Sequence, residues 1–439
     1  MVPCCLKADL KYCMTNTKDL NIEDEIIPLF DFTFNLFTGQ EVRDILIKPL
    51  GSRQEILSRQ NVLKGFTGNW EVIKHYSFSR FNLSEIYDFF ETFAAGTFTG
   101  ARLRRELIFS EKERHQKRGR LILLILLFHR IHTDYVSKID SKRFPPEYAT
   151  ELEGLNRFFR DFNLPHYEAF FRKKNKIRIG HIVELVAVIS EKVTSGQVAL
   201  FWKRWFLFEA YLSVTKGIIK NGFVFPSFEQ STLAIEGLYH PLLSDPVTND
   251  LHVNRNVILL TGPNMSGKST FLKAVSLCVY LGHTGLAVPA AKATMPYYAT
   301  ISVSINLTDS IVSGYSHFMS EIITLKNVLT AAEEDNPKCF AVFDELFRGT
   351  NIEDALEISA VTIKGLVKYP NSLFLISTHL HQLQDMEIVK NGTVATSYIE
   401  CSLNNNLPVF TYKLKDGWSD LRLGRILFEK EGLNNMLAG

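Results

Sequence analysis

One sequence feature limits the possible folds of this chain more than any other. It is a glycine-rich loop between an apolar, strand-like run and an apolar, helix-like run. The loop consists of Gly262, Pro263, Asn264, Met265, Ser266, Gly267, Lys268, Ser269 and Thr270, which together satisfy GxxxxGK[ST]. NVILLT precedes it and FLKAVSLCVYLG follows it. Backbone N–H groups of such a loop turn inward and, with the positive end of the following helix, bind phosphate. The pattern predicts an ATP site, with Lys268 on the β- and γ-phosphates and the Ser269 hydroxyl on Mg²⁺.

Two later segments complete this chemistry. In FAVFDELFRGT, four apolar residues lead into Asp344 and Glu345, as in a Walker B strand. We expect Asp344 to join Ser269 around Mg²⁺ and Glu345 to polarise the attacking water. FLISTH ends at His379, which is similar to the switch histidine that contacts the γ-phosphate in ABC-type ATPases. Glu345 and His379 are therefore the predicted catalytic residues.

The texture of the sequence changes near Ser231. Before it, apolar residues recur at helical spacing, as Ile182, Leu185, Val186 and Ile189 do. After it, short apolar runs at 257–260, 340–343 and 373–376 alternate with helical segments. The sequence predicts an all-α domain followed by an α/β P-loop domain with buried parallel strands.

Composition narrows the possible partners. The 439 residues carry a net charge of +2, so any nucleic-acid surface must be local. Residues 102–120 hold eight Lys or Arg against three Glu, and FRKKNKIRIG, from Phe171, holds five basic residues and no acidic one. Each cluster is either a phosphate-contacting surface or an ordinary solvated helix face.

Membrane and metal signals are weak. The longest apolar run, Leu121 to Phe128, is far too short to span a bilayer, and no signal peptide is evident, so we expect a cytoplasmic protein without membrane contact. None of the six cysteines forms a CxxC pair. Cys4, Cys5 and Cys13 are either free thiols or a small metal or redox cluster.

The ordered motifs resemble those of the MutS family of DNA-repair proteins. GPNMSGKST is similar to that family's GPNMGGKST, DELFRGTN to DEIGRGTS, DSIVSGYSHFMSEI to DDLASGRSTFMVEM, and STHLHQL to ATHYHEL. LYHPLL, from Leu238, and DGWSDLRLG, from Asp416, resemble the beginning and end of the family's ATPase domain. Seven positions of the preceding half also fit the start of the family's helical core: Leu46, Pro49, Ile56, Arg59, Gln60, Val62 and Phe66.

The resemblance implies a domain plan and an assembly. It implies an N-terminal extension over residues 1–29, a helical core and lever domain over 30–230, and an ABC-type ATPase domain over 231–439. It also implies DNA as a partner and a homodimer, in which Ser316 of one subunit contacts the γ-phosphate bound by the other.

The chain departs from the family pattern in several places. The core-like pattern begins near residue 30, so we expect the mismatch-reading domain with its Phe-x-Glu wedge to be absent, and mismatch preference to be weak. The C-terminal helix-turn-helix element looks shortened. Ser266 and Phe347 replace glycines, Tyr315 replaces an arginine, and Val247 occupies a position where an aromatic residue usually stacks on adenine.

Three functions are compatible with the sequence. The first is a MutS-like ATPase that couples its nucleotide state to DNA binding in DNA repair or recombination. The second is a MutS-derived ABC-type ATPase that acts on a protein or RNA partner. The third is a nucleotide-gated scaffold that barely hydrolyses ATP, which the intact Lys268, Ser269, Asp344 and Glu345 disfavour.

Overall fold

The described residues form two compact units. The computed structural model describes residues 15–33, 35–94, 110–229, 232–305, 317–333, 338–347, 349–404, 407–419, 421, 423, 428 and 436–437. One unit, called here the sheet unit, takes its described residues from 1–29, 46–60 and 221–439. The other, called the helical unit, consists of those in 30–45 and 61–220. The sheet unit is thus drawn from three separate stretches of sequence.

Helices dominate the first half of the chain, as the spacing of apolar residues predicted. They are α1 (Leu36–Ile47), α2 (Arg53–Gly68), α3 (Trp70–Ile73), α4 (Arg80–Ala94), α5 (Glu111–Asp134), α6 (Pro146–Arg160), α7 (Leu164–Lys174), α8 (Ile179–Thr194) and α9 (Gln197–Asn221). In α8 the predicted apolar positions are all buried: Ile182, Leu185, Val186 and Ile189. The helical prediction for this half is confirmed.

The core of the helical unit is largely aromatic. Phe128, Phe201 and Trp205 are almost completely buried, and the Phe128 and Phe201 ring centroids lie 5.5 Å apart. Phe158 stacks on Phe201 with centroids 4.0 Å apart and planes 13° from parallel. Since each buried aromatic side chain removes a large apolar area from water, this cluster holds α5, α6 and α9 together.

The sheet unit is built around a mainly parallel sheet. Within the described residues, its strands are β1 (Thr15–Asn16), β5 (Val257–Thr261), β7 (Thr300–Ser304), β8 (Cys339–Phe343), β9 (Leu373–Ser377), β10 (Ala395–Asn404) and β11 (Leu407–Asp416). The order is β1-β7-β8-β9-β5-β10-β11, and only the β10–β11 pair is antiparallel. A smaller sheet has the order β2 (Ser227–Phe228), β6 (Lys292–Met295), β3 (Ala234–Leu238) and β4 (Asn249–His252).

The four central strands β5, β7, β8 and β9 are buried at every residue. Helices complete the unit: α10 (Lys268–His283), α11 (His317–Glu333), α12 (Ile352–Leu366) and the short α13 (Glu387–Lys390). Ile363 and Leu366 of α12 share one apolar cluster with Val257 and Phe374 of the sheet. Burial on both faces explains why the sequence shows continuous apolar runs rather than alternation. The predicted α/β domain with parallel strands is confirmed.

The first described residues belong to the sheet unit. Thr15 and Asn16 pair with Ile301 and Ser302 of β7 in parallel. The segment after them buries Leu20, Ile22, Ile26 and Ile27. β1 therefore covers the backbone edge that β7 would otherwise expose.

Two further sequence expectations concern membranes and cysteines. Within the described residues, none of the helices combines the length and apolar character needed to cross a bilayer. The same residues contain no cluster of three potential His, Cys, Asp or Glu metal ligands. Cys4, Cys5 and Cys13 lie outside the described residues, so the two interpretations of that trio stay open.

A buried carboxyl group lies inside the helical unit. The side chain of Glu209, on α9, accepts hydrogen bonds from Tyr76 Oη (2.8 Å), Thr38 Oγ1 (3.0 Å) and Asn35 Nδ2 (3.2 Å). Burial raises the pKa of Glu209 to about 7, although these donors oppose the shift. The folded protein therefore holds this proton up to about pH 7, whereas an unfolded carboxyl group releases it near pH 4.5.

This difference predicts how stability depends on pH. Because the folded state binds the extra proton between about pH 4.5 and 7, the free energy of unfolding should fall as the pH rises through that window. Glu209→Gln removes the titrating group. As the pH rises through this window, the free energy of unfolding of the variant should therefore increase relative to that of the wild type by about 1–3 kcal/mol. Urea unfolding followed by circular dichroism at pH 5 and pH 8 measures this. The exposed Glu147→Gln is the control, and an equal pH dependence in all three proteins would contradict the assignment.

Candidate nucleotide-binding site

The glycine-rich loop joins β5 to α10 in the sheet unit, and its backbone adopts unusual conformations. Gly262 and Gly267 have φ values of 136° and 101°, which side chains rarely tolerate. A Cβ atom at Gly262 would lie 3.2 Å from the carbonyl oxygen of Ile399. Helix α10 starts at Lys268, so the loop lies directly before the positive end of a 16-residue helix. The geometry is that of an anion-binding loop.

Lys268 is held within the loop. Its buried ammonium group donates to the carbonyl oxygens of Gly262 (2.9 Å) and Pro263 (3.2 Å). Burial lowers the pKa of Lys268, and the charges of Glu345 and Asp344 oppose that shift. The charge of Lys268 therefore lies beside the backbone that is predicted to bind phosphate.

Ser266 brings a polar atom into the same loop. Its hydroxyl oxygen is buried and has no hydrogen-bond partner among the described residues. A buried hydroxyl without a partner carries a desolvation cost, which an anionic ligand oxygen in the loop would relieve. Asn264, Met265 and Thr270 are exposed around it, and Met265 has a positive φ of 70°.

Asp344 lies at the centre of the site. It follows β8 immediately, and one of its carboxylate oxygens accepts from Ser269 Oγ at 2.5 Å. The other oxygen accepts a short hydrogen bond from Ser377 Oγ, at the end of β9. The structure thus brings together Ser269 and Asp344, the two residues predicted to bind Mg²⁺. Hydroxyl and carboxylate oxygens are the hard ligands that Mg²⁺ prefers, so this pair fits the ion.

The two predicted catalytic residues contact each other. His379 Nε2 and Glu345 Oε1 lie 2.8 Å apart. The backbone N–H of Glu345 donates to Ser377 Oγ at 3.0 Å, and Glu345 has a φ of 57°. Ser377 therefore contacts the side chain of Asp344 and the backbone of Glu345 at once. Sequence reasoning missed Ser377, although it stands two residues before His379 in the quoted motif.

A cavity of about 400 Å³ adjoins the loop and could receive a base. Its lining includes Val247, His240, Phe271 and Tyr412. The Tyr412 ring lies against Gly267, at 3.2 Å from where a Cβ atom of that glycine would be. Val247 leaves its own position without an aromatic ring, but β11 supplies one from elsewhere. Sequence reasoning missed Tyr412, which lies four residues before the quoted Asp416.

The remaining predicted positions, and a second cavity, can also be located relative to the nucleotide motifs. Ser316, Tyr315 and most of the segment that resembles the family signature fall outside the described residues. Phe347 is buried with a φ of 66°, at the turn after Glu345. A larger cavity of about 580 Å³ belongs to the helical unit, whereas every described nucleotide motif belongs to the sheet unit.

Comparisons with known proteins agree with this geometry. Residues 258–433 match the family model described as MutS domain V. The chain is 33% identical over 214 residues to the DNA mismatch repair protein MutS of Listeria welshimeri, covering 47% of this chain and 24% of that protein. The corresponding values are 34%, 46% and 23% for MutS of Staphylococcus haemolyticus, also over 214 residues. For MutS of Bacillus pumilus they are 29% over 296 residues, 63% and 34%.

These matches cover only part of each relative and only part of this chain. They span about a quarter to a third of each relative's length. The family model begins at the second residue of β5, covers the glycine-rich loop, and continues through β8 and β9 to the β10–β11 pair. All the described residues predicted to bind nucleotide or Mg²⁺, or to catalyse, lie inside the matched range. Residues 258–433 therefore match MutS domain V, and this match supports membership of the MutS family.

Proposed function

We propose that this protein binds ATP with Mg²⁺, hydrolyses it, and couples its nucleotide state to DNA binding. The observation that carries the proposal is the shared position of Asp344. Its carboxylate contacts Ser269 of the glycine-rich loop, while the next residue, Glu345, contacts His379. These contacts join the loop, the proposed Mg²⁺ ligands and the proposed catalytic pair.

Each residue has a separate role in this proposal. Residues 262–270 bind the phosphates through backbone N–H groups, and Lys268 adds its positive charge. Ser269 and Asp344 would hold Mg²⁺, which when bound would neutralise charge on the phosphates. Glu345 orients and polarises the attacking water. His379 fixes the carboxylate of Glu345 by its 2.8 Å contact. Its proposed second role is contact with the γ-phosphate, as for the switch histidine it resembles.

DNA is the proposed partner, and the segment 171–178 offers the clearest contact surface. Arg172 pairs with Glu168, and the Arg178 guanidinium lies 5.1 Å from the Phe170 ring centroid. Three lysines around the end of α7 are exposed and have no ion-pair partner among the described residues: Lys173, Lys174 and Lys176. Their ammonium groups are available to phosphate.

The basic cluster at residues 102–120 is less available for contact with DNA phosphate. Lys117 is buried, and Arg120 lies 3.6 Å from Glu85 and over the Phe89 ring. Arg102, Arg104 and Arg105 lie outside the described residues. A protein or RNA partner remains the alternative. The proposal also includes the expected domain boundaries, with a helical core and lever domain over residues 30–230 and an ATPase domain over 231–439.

The first test concerns hydrolysis. Glu345→Gln should keep ATP affinity but lower kcat roughly 10²- to 10³-fold, because water activation is lost while the phosphate contacts remain. Lys268→Ala should abolish ATP binding instead, because it removes the charge on the phosphates. Phosphate release and binding of a fluorescent ATP analogue measure the two effects. Turnover of Glu345→Gln at the wild-type rate would mean that Glu345 is not the catalytic base.

The second test concerns assembly. We propose that ATP promotes a two-fold dimer in which Ser316 reaches the partner's γ-phosphate. Glu345→Gln with ATP should therefore double in mass by light scattering, since slow turnover preserves the bound nucleotide. Lys268→Ala should stay monomeric under the same conditions. A monomer of Glu345→Gln at every practical concentration would exclude the composite site.

The third test concerns DNA. Replacing Lys173, Lys174 and Lys176 by alanine should weaken binding to all duplexes alike and reduce the log–log salt dependence by up to about 2.7, at about 0.9 per phosphate contact. Basal ATP hydrolysis should survive. A matched triple variant removes the same charge from exposed lysines of the sheet unit: Lys364, Lys368 and Lys415.

Fluorescence anisotropy with perfect, mismatched and branched duplexes separates the outcomes. Loss of mismatch preference alone would mean that this segment reads DNA structure rather than charge. Failure of the wild type to bind any DNA at low salt would remove DNA as the partner and favour a protein or RNA.

A further inference from the structure

The N-terminal segment reaches the edge of the nucleotide site through one side chain. β1 pairs with β7, and Asp19 follows it three residues later. Asp19 Oδ2 accepts a hydrogen bond from the backbone N–H of Ile305, the residue directly after β7, at 2.7 Å. Ile305 is buried, so water competes weakly for this contact. The carboxylate of Asp19 is thus held at the carboxyl end of the parallel sheet.

The same peptide group also contacts the Walker B residue. The Ile305 N–H belongs to the peptide whose carbonyl is that of Ser304. This carbonyl oxygen accepts from the backbone N–H of Asp344 at 2.9 Å. One planar peptide therefore joins the Asp19 carboxylate on one side to the Asp344 backbone on the other. The two aspartates are 325 positions apart in sequence.

The charge of Asp19 strengthens this connection. Hydrogen bonds to an ionised acceptor are shorter and stronger than neutral ones. A peptide whose N–H donates to a carboxylate is polarised, so its carbonyl oxygen becomes a better acceptor. The Asp344 backbone is therefore fixed more firmly than by strand pairing alone. Its carboxylate is fixed separately by Ser269 and Ser377.

We propose that Asp19 is a positioning residue for Asp344. By this proposal the segment 15–29 contributes to the nucleotide site, because it fixes the position of the Asp344 backbone. The carboxylate that is proposed to bind Mg²⁺ projects from that backbone. Its consequence for Mg²⁺ rests on the proposed ATPase function. Its consequence for the Asp344 backbone does not, and the two can be measured separately.

Amide hydrogen exchange tests the backbone directly. Asp19→Ala should speed exchange of the Asp344 amide roughly tenfold, because it removes a hydrogen bond to a charged group. Asp19→Asn keeps an oxygen acceptor but loses the charge, so a smaller increase of about two- to threefold is expected. The control is Asp24→Ala, which removes a charge from an exposed position of the same segment. It should leave exchange over residues 340–347 unchanged.

Nucleotide binding provides the second readout. The Mg²⁺ concentration that half-saturates binding of a fluorescent ATP analogue should rise about tenfold in Asp19→Ala and less in Asp19→Asn, in the order of the exchange effects. Affinity for the analogue without Mg²⁺ should not change, because Lys268 and the loop are untouched. This readout does not depend on turnover.

The outcomes are distinguishable. If Asp19 serves only to attach the segment, both variants lower the melting temperature but match Asp24→Ala in Asp344 exchange and in Mg²⁺ half-saturation, and the proposal is overturned. If the wild type binds no ATP analogue at any Mg²⁺ concentration, the proposed function fails. Amide hydrogen exchange at Asp344 then still decides whether Asp19 positions that residue. If Asp19→Ala does not fold, Asp19→Asn provides the same test.

Discussion

The position of the Asp344 carboxylate depends on the register of the parallel sheet. β8 lies between β7 and β9, and its last residue, Phe343, pairs with Ser304 on one side and Ile376 on the other. Asp344, the residue after β8, and Ser377, the last residue of β9, therefore lie side by side. A slip of one residue in either pairing would turn the side chains to the opposite face and separate them. The full burial of these strands makes such a slip costly.

Much of this arrangement could be predicted from sequence because it is local. Strand, loop and helix are contiguous around residues 257–283, and only glycine suits the backbone at Gly262 and Gly267. Each catalytic candidate lies two or three residues after a short apolar run that is typical of a buried strand. Parallel strands place their carboxyl ends at one edge, so Ser269, Asp344 and His379 were expected to converge. The helical half was predictable for the same reason, since its apolar residues repeat at helical intervals.

The parts that sequence did not reveal depend on tertiary pairing. A two-residue strand such as β1 carries no periodic signal, so nothing local indicates that residues 15–29 join a sheet whose other strands begin more than 200 residues later. Tyr412 lies on β11, at the irregularity in its antiparallel pairing with β10, and its ring reaches Gly267 only through tertiary structure. Ser377 was inside a quoted motif, yet its two hydrogen bonds depend on the β8–β9 register.

Backbone strain points independently to the same site. Among the described residues, the non-glycine positions with positive φ are Asn21, Asn163, Asn175, Met265, Glu345, Phe347 and Tyr412. Asparagine tolerates this conformation, so the first three need no special cause. The other four are costly, and all of them lie in the glycine-rich loop, in the turn after β8 or in the lining of the 400 Å³ cavity beside the loop. Such strain persists only where surrounding contacts impose it, as the bond from Glu345 N–H to Ser377 does. Its concentration in the glycine-rich loop and in segments that contact this loop supports a site whose geometry serves a ligand rather than stability.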